Sequence, residues 1–272
     1  MPKVAIASLC IGERYRTLWR DHCAKGWQDY ARRHGYALEV CERPLDPSPA
    51  ASLRSPAWQK CLIPSAASLR GYDRVVWIDS DIAINRQAPP IAERVPAGKI
   101  GAVISGDYLQ PEMKAIFLAR GRGRTLADVD MPDAWAQDQR ALYTAAGLPA
   151  AAEIVQTGVL VLEPGHAALL RAVYDEGFPR ELKGAEQLPL SRAILEGGLL
   201  HRLDPRFNTV LVDRIAVHYP YLLNKDLPHY GYVAHLAVRT EMENVRQDTF
   251  QIADSRISAM KQRDRISPGI FR

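Results

Sequence analysis

Short apolar runs punctuate the first two-thirds of the chain, and stretches of helical periodicity separate them. Residues 4–8 (V-A-I-A-S) form an apolar run that ends in small side chains, which predicts a first strand. Leu18, Cys23, Trp27, Tyr30 and Ala31 then fall broadly on one side of a helix, and Gly35 stands where such a helix stops. Residues 36–40 predict a second strand. The proline-rich stretch 44–56 predicts a loop. A helix carrying Trp58, Lys60 and Leu69 comes next, bent or restarted at Pro64. Further strands are predicted at 74–78, 100–104 and 159–162, the last closed by Glu163-Pro164-Gly165. Helices are predicted at 134–146, halted by Gly147, at 167–174 and at 188–195, with short strands at 209–212 and 232–236.

This alternation predicts an α/β fold, Rossmann-like, with a mostly parallel central sheet and helices on both faces. From residue 239 the chain turns polar and mixed in charge, while Phe250, Ala253, Ile257 and Met260 recur at helical spacing. A main domain over 1–238 with a packed C-terminal helical extension over 239–272 is the expectation.

Composition narrows the function classes. With 272 residues, 47% of them hydrophobic, the chain can bury a sizeable core. Basic residues number 35 against 31 acidic, a net +4 that lacks the dense basic face a nucleic-acid partner would require. No run approaches the ~20 apolar residues that span a bilayer, and the N-terminal apolar run breaks early at Gly12 and Glu13. A cytoplasmic protein, at most peripheral at the inner membrane, is expected. Cys10, Cys23, Cys41 and Cys61 form no C-x-x-C pair, so they are read as reduced thiols packed as small apolar groups.

The strongest chemical signal is V-V-W-I-D-S-D-I-A-I, residues 75–84. Carboxylates are rarely buried unless they are paired, hydrogen-bonded or bound to a metal. Asp79 and Asp81 lie just past the end of a predicted strand, where ligands bind in open parallel sheets. Two residues apart on an extended segment, they point the same way and can reach one hard cation such as Mg²⁺ or Mn²⁺. Two chemistries use an apolar strand followed by D-x-D. One is phosphoryl transfer through an aspartyl-phosphate, as in haloacid dehalogenase-like phosphatases; the other is glycosyl transfer from a nucleotide-sugar. A non-catalytic nucleotide-sugar or glycan-binding module is a third possibility. A second D-x-D, Asp128-Val129-Asp130, has no apolar strand before it and is read as loop.

The segment 58–85, W-Q-K-C-L-I-P-S-A-A-S-L-R-G-Y-D-R-V-V-W-I-D-S-D-I-A-I-N, resembles the GT-A glycosyltransferases. It is most similar to the galactosyl/mannosyl/xylosyl-transferase group related to the yeast mannan polymerase subunits. Other motifs follow in the order that group shows: Tyr15, Y-A-R-R-H-G-Y at 30–36, V-Q-T-G-V-L-V-L-E at 155–163, Glu186-Gln187 and Y-V-A-H-L-A at 232–237. Two positions depart from it: Gln156 replaces the usual Asn, and Ala237 replaces the Gly after His235.

The resemblance implies a retaining transferase. It would move a sugar from a UDP- or GDP-sugar to a hydroxyl on a glycan or small molecule, with Mn²⁺ or Mg²⁺. It implies Asp79, Asp81 and His235 as metal ligands. Gln187 would lie beside the anomeric carbon, with Glu186 on sugar hydroxyls or on the donor's rear face. Ala7, Ser8 and Tyr15 would surround the base, and Lys60, Ser80, Gln156, Thr157 and Gly158 the rest of the donor. Phe207 and Asn208 are candidates for the acceptor side.

Overall fold

The computed structural model describes residues 2–121, 123, 125–131, 133–176, 186–210 and 251–253. Strands β1 (Val4–Leu9), β2 (Ala37–Cys41), β3 (Arg74–Ile78), β4 (Ile82–Ile84), β5 (Ile100–Ile104), β6 (Val155–Leu162), β7 (Leu200–Arg202), β8 (Thr209–Val210) and β9 (Gln251–Ala253) form two sheets. The larger has the order β2-β1-β3-β6-β5-β7. Its pairs are parallel except for β6, which runs against both β3 and β5. The mostly parallel sheet expected from the alternation of elements is thus present, with one reversed strand inside it.

Both faces of this sheet are covered. Ala5, Ala7, Val75, Trp77, Leu160 and Leu162 point to one face and pack in one core cluster. The alternate residues Val4, Ile6, Val76, Ile78, Val159 and Val161 fill a second cluster on the other. Continuous apolar strands follow from this, because a strand's side chains alternate sides and here neither side meets water.

The helices are α1 (Glu13–Leu18), α2 (Ala24–His34), α3 (Pro49–Ser52), α4 (Pro111–Ile116), α5 (Leu126–Val129), α6 (Ala134–Ala145), α7 (Ala167–Asp175) and α8 (Gln187–Glu196). On the first face lie α7, α8 and a 3-10 helix over Pro56–Ser65; Trp27, Tyr30 and Ala31 of α2 pack on the second. A single π turn, Trp19–Cys23, joins α1 to α2. Gly35, at φ 69°, ends α2 as its left-handed cap. Among the described residues no helix is long and apolar enough to cross a membrane.

Three differences from the sequence expectation matter for the site. The segment around Lys60 is a 3-10 helix of ten residues, not an α-helix. Pro64 has no amide to donate to the Lys60 carbonyl, so the α-helical pattern cannot run through it. Next, β6 begins at Val155, four residues before the predicted start. Its register against β5 jumps along the strand: Gly101 faces Val161, whereas Val103 faces Gln156. The excess backbone therefore lies between Gln156 and Val161, where Gly158 bonds to the residue that follows β3, and such irregularities re-aim side chains. Finally, Gln251–Ala253 is the middle strand of a small sheet, β4-β9-β8, so Ala253 is in a strand and not in the predicted helix. The rest of the extension, His235 and the predicted strand at 232–236 lie outside the described residues.

Candidate active site

Lys60 organises the end of β3. Its side chain is only 2% exposed, and its ammonium donates to Asp79 Oδ1 at 2.9 Å and to the Thr157 carbonyl at 3.2 Å. It also pairs with Glu186 Oε1 at 2.7 Å, which occupies all three ammonium donors. Burial alone would lower the lysine's pKa, but the charges of Asp79 and Glu186 outweigh it and hold the value above the usual lysine range. Lys60 is therefore a cation that neutralises acids, with no N–H left over for a phosphate.

The acids are held from other sides as well. Trp77 Nε1 donates to Asp79 Oδ1 at 2.9 Å, and the Asp79 amide donates to the Gly158 carbonyl at 2.8 Å. Glu186 is 3% exposed and accepts from the Thr157 hydroxyl at 3.1 Å. The β6 irregularity presents Thr157 with its carbonyl toward Lys60 and its hydroxyl toward Glu186. Gly158 faces the second Asp79 oxygen: a β-carbon there would lie 3.4 Å from Asp79 Oδ2 and 3.4 Å from Asn208 Nδ2.

A cleft of about 200 Å³ opens beyond the C-terminal ends of β1 and β3. Leu9, Ile11, Tyr15, Trp77, Asp79, Ser80 and Asp81 line it, with Ser55, Pro56 and Ala57 from the start of the 3-10 helix. The structure thus brings Tyr15, Ser80 and both acids of the D-x-D to one opening. Tyr15 is 45% exposed, so its ring is available to a ligand.

Other predicted residues are not among those that line this cleft. Ala7 is buried in the sheet, and the buried Ser8 hydroxyl donates to the Ile78 carbonyl at 2.6 Å. Gln187 opens α8 with its amide on the Val155 carbonyl and on Gln156 Oε1, both at 3.3 Å, while Gln156 Nε2 reaches the Ser105 hydroxyl at 3.2 Å. Phe207 is fully buried among the second cluster, which makes it a core residue and not an acceptor-side one. Asp128 lies in the short helix α5, not in a loop, and accepts from Thr125. All four cysteines are free thiols.

A divalent cation can be tested against these groups. Among the described residues no three side chains of metal-ligating type cluster together. Mg²⁺ and Mn²⁺ sites, however, commonly use one or two carboxylates and complete the shell with water and substrate phosphates. Asp79 keeps Oδ2 on the side away from Lys60's contact, and Asp81 lines the same cleft. Among the described residues the donor set is all oxygen, so it fits a hard cation held jointly with a diphosphate.

No protein-family model matches the chain, and no curated protein matches its sequence. Among solved structures it is similar to a glycosyltransferase involved in glycosylation of the major capsid of PBCV-1. That match has 13% identity and a TM-score of 0.52, and it covers 97% of this chain and all of that one. Weaker likenesses are to the bifunctional glycosyltransferase WbbM (14% identity, TM-score 0.47, 93% of this chain and 46% of that one) and to the galactosyltransferase LgtC (11%, 0.43, 92% and 87%). The fold is the α/β, Rossmann-like GT-A type.

Proposed function

We propose that the protein is a glycosyltransferase that moves a sugar from a nucleoside-diphosphate sugar to a hydroxyl acceptor, with retention and with Mn²⁺ or Mg²⁺. The observation that carries this is the placement of Asp79, Asp81 and the exposed Tyr15 around one cleft at the carboxyl ends of β1 and β3. The PBCV-1 neighbour, named as a glycosyltransferase, supports the class through the shared fold.

In this account Tyr15 stacks on the base of UDP or GDP while Leu9 and Ile11 give the base an apolar wall. Asp79 and Asp81 would hold the cation, joined by His235 from outside the described residues. The cation, when bound, supplies Lewis-acid stabilisation of the charge that grows on the departing diphosphate. Lys60 and Trp77 hold Asp79 in one orientation, so that its other oxygen is ready before the donor arrives. Glu186, fixed by Lys60 and Thr157, sets the position of the first turn of α8. Gln187 is the neutral amide closest in sequence to that anchored carboxylate, and it offers a dipole to a cationic anomeric centre without forming a covalent bond. Gly158 lets the backbone approach the sugar.

A phosphatase would need Asp79 as a nucleophile, yet two donors already cap its Oδ1. A thermal-shift series with UDP and GDP, with and without MnCl₂, followed by assay of UDP release from UDP-hexoses, separates the possibilities. Metal-dependent stabilisation by a nucleoside diphosphate together with its release from the sugar supports the transferase. Stabilisation with no release indicates a binding module, and phosphate release from small phosphomonoesters without nucleotide binding indicates a phosphatase.

A further inference from the structure

Asn208 is 2% exposed, and its Nδ2 has no hydrogen-bond acceptor among the described residues. A buried amide without a partner is costly, and native folds seldom leave one unexplained. Its position is specific. The turn Pro205–Phe207, capped by Asp204, delivers it to the start of β8. That strand belongs to the small sheet in which β4 follows directly from the D-x-D. Across the space left by the missing β-carbon of Gly158, Asn208 Nδ2 and Asp79 Oδ2 approach the same point, each 3.4 Å from it. A donor with nothing to bond and a carboxylate oxygen outside the Lys60 and Trp77 contacts thus border one gap.

We infer that Asn208 is a positioning residue for Asp79. Once the cation is bound, its amide N–H serves Oδ2 across the Gly158 gap, directly or through one water. Lys60 and Trp77 fix one oxygen of the carboxylate, and Asn208 fixes the plane in which the other meets the cation. Gly158 is glycine here because a methyl group would fill the gap. The inference rests on the cation-binding role proposed for Asp79. It adds to that role a residue that the D-x-D spacing does not contain.

The test is calorimetric titration of the full chain with MnCl₂ in saturating UDP, alongside thermal unfolding without ligand. Asn208→Leu removes the N–H and keeps most of the volume. Replacing an unpaired buried donor by an apolar group of similar shape is neutral or stabilising, so the ligand-free midpoint should stay level or rise. The Mn²⁺ Kd should weaken about tenfold, the size expected for a lost bond to a charged group. A merely structural Asn208 gives the opposite pattern: a lower midpoint and an unchanged Kd. Gly158→Ala is the second variant, because its added carbon meets neighbours only at ordinary contact distance. It should weaken Mn²⁺ similarly in a fully folded protein. A Kd within twofold of wild type in both variants overturns the inference. Asp79→Asn, run in parallel, locates the failure: if it weakens Mn²⁺ while the other two do not, only Asn208's role is lost. If Asp79→Asn also leaves Mn²⁺ binding unchanged, the cation site itself is lost and the inference with it.

Discussion

The two ends of the central sheet treat charge differently. At the end where β3 begins, Arg74 pairs with Glu163 at 3.2 Å, one cation to one carboxylate. Glu163 also accepts the Gly98 amide at 2.9 Å and caps the turn that leads into α7. Both charges of this pair thus have structural partners. Where β3 finishes, the buried ammonium of Lys60 serves two carboxylates, and a cleft opens beside them. A matched pair holds loops together; one buried cation shared by two acids leaves negative charge that a ligand cation can meet. The difference teaches that the excess acid, more than the acids themselves, marks the working end.

Breaking the two ends should therefore have unequal consequences. Lys60→Met strands Asp79 and Glu186 beside an apolar core and should cost about 3–5 kcal/mol in urea denaturation. Glu163→Gln, at the half-buried opposite end, should cost only about 1–2 kcal/mol. Equal losses would erase the contrast. Asp79→Asn should fold, since Lys60 keeps Glu186. It should nevertheless lose the Mn²⁺-dependent part of the UDP thermal shift, about 2.7 kcal/mol for ligand at 100-fold its Kd.

Sequence patterning reached the frame of the fold because central strands such as β1 and β5 are apolar on both sides, a signal periodicity reads directly. Strands β3 and β5 end where the apolar runs end. The D-x-D was legible for the same reason, since acids directly after such a run are conspicuous. The reversal of β6 was not legible, because a strand's apolar pattern is the same in either direction. Nor was the register jump between Gln156 and Val161, which depends on a partner strand some fifty residues away. Trp77's indole bond to Asp79 was hidden by the residue's apolar identity, and Lys60 looked equally like a surface lysine. Asn208 carried only the weak signal of an amide between Phe207 and β8; its importance comes from Gly158, distant in sequence and adjacent in space.

Smaller effects sharpen the same contrast. Asp204 accepts the Arg206 amide at 2.9 Å and caps the turn that carries Asn208. Asp204→Ala should cost about 1 kcal/mol by thermal unfolding. Arg206 holds Asp204's carboxyl below its ordinary value, so that contribution exists above the unfolded pKa and disappears as pH falls through the folded one. Cys10 behaves in the opposite sense. Burial, opposed by a Ser80 contact, pushes its thiol up to about 11 from 9.0. A raised value means stability is complete below the unfolded pKa and drains as pH climbs from about 9 toward 11. Cys10→Ala should flatten part of that alkaline decline in the urea midpoint.

Anomalous diffraction from crystals grown with MnCl₂ and UDP addresses the metal-bridged cleft most directly. The account predicts a manganese peak within coordination distance of both Asp79 and Asp81, touching the diphosphate, with the uracil against Tyr15. UDP seated in the cleft with no manganese beside the two carboxylates, or manganese bound elsewhere on the chain, would contradict it.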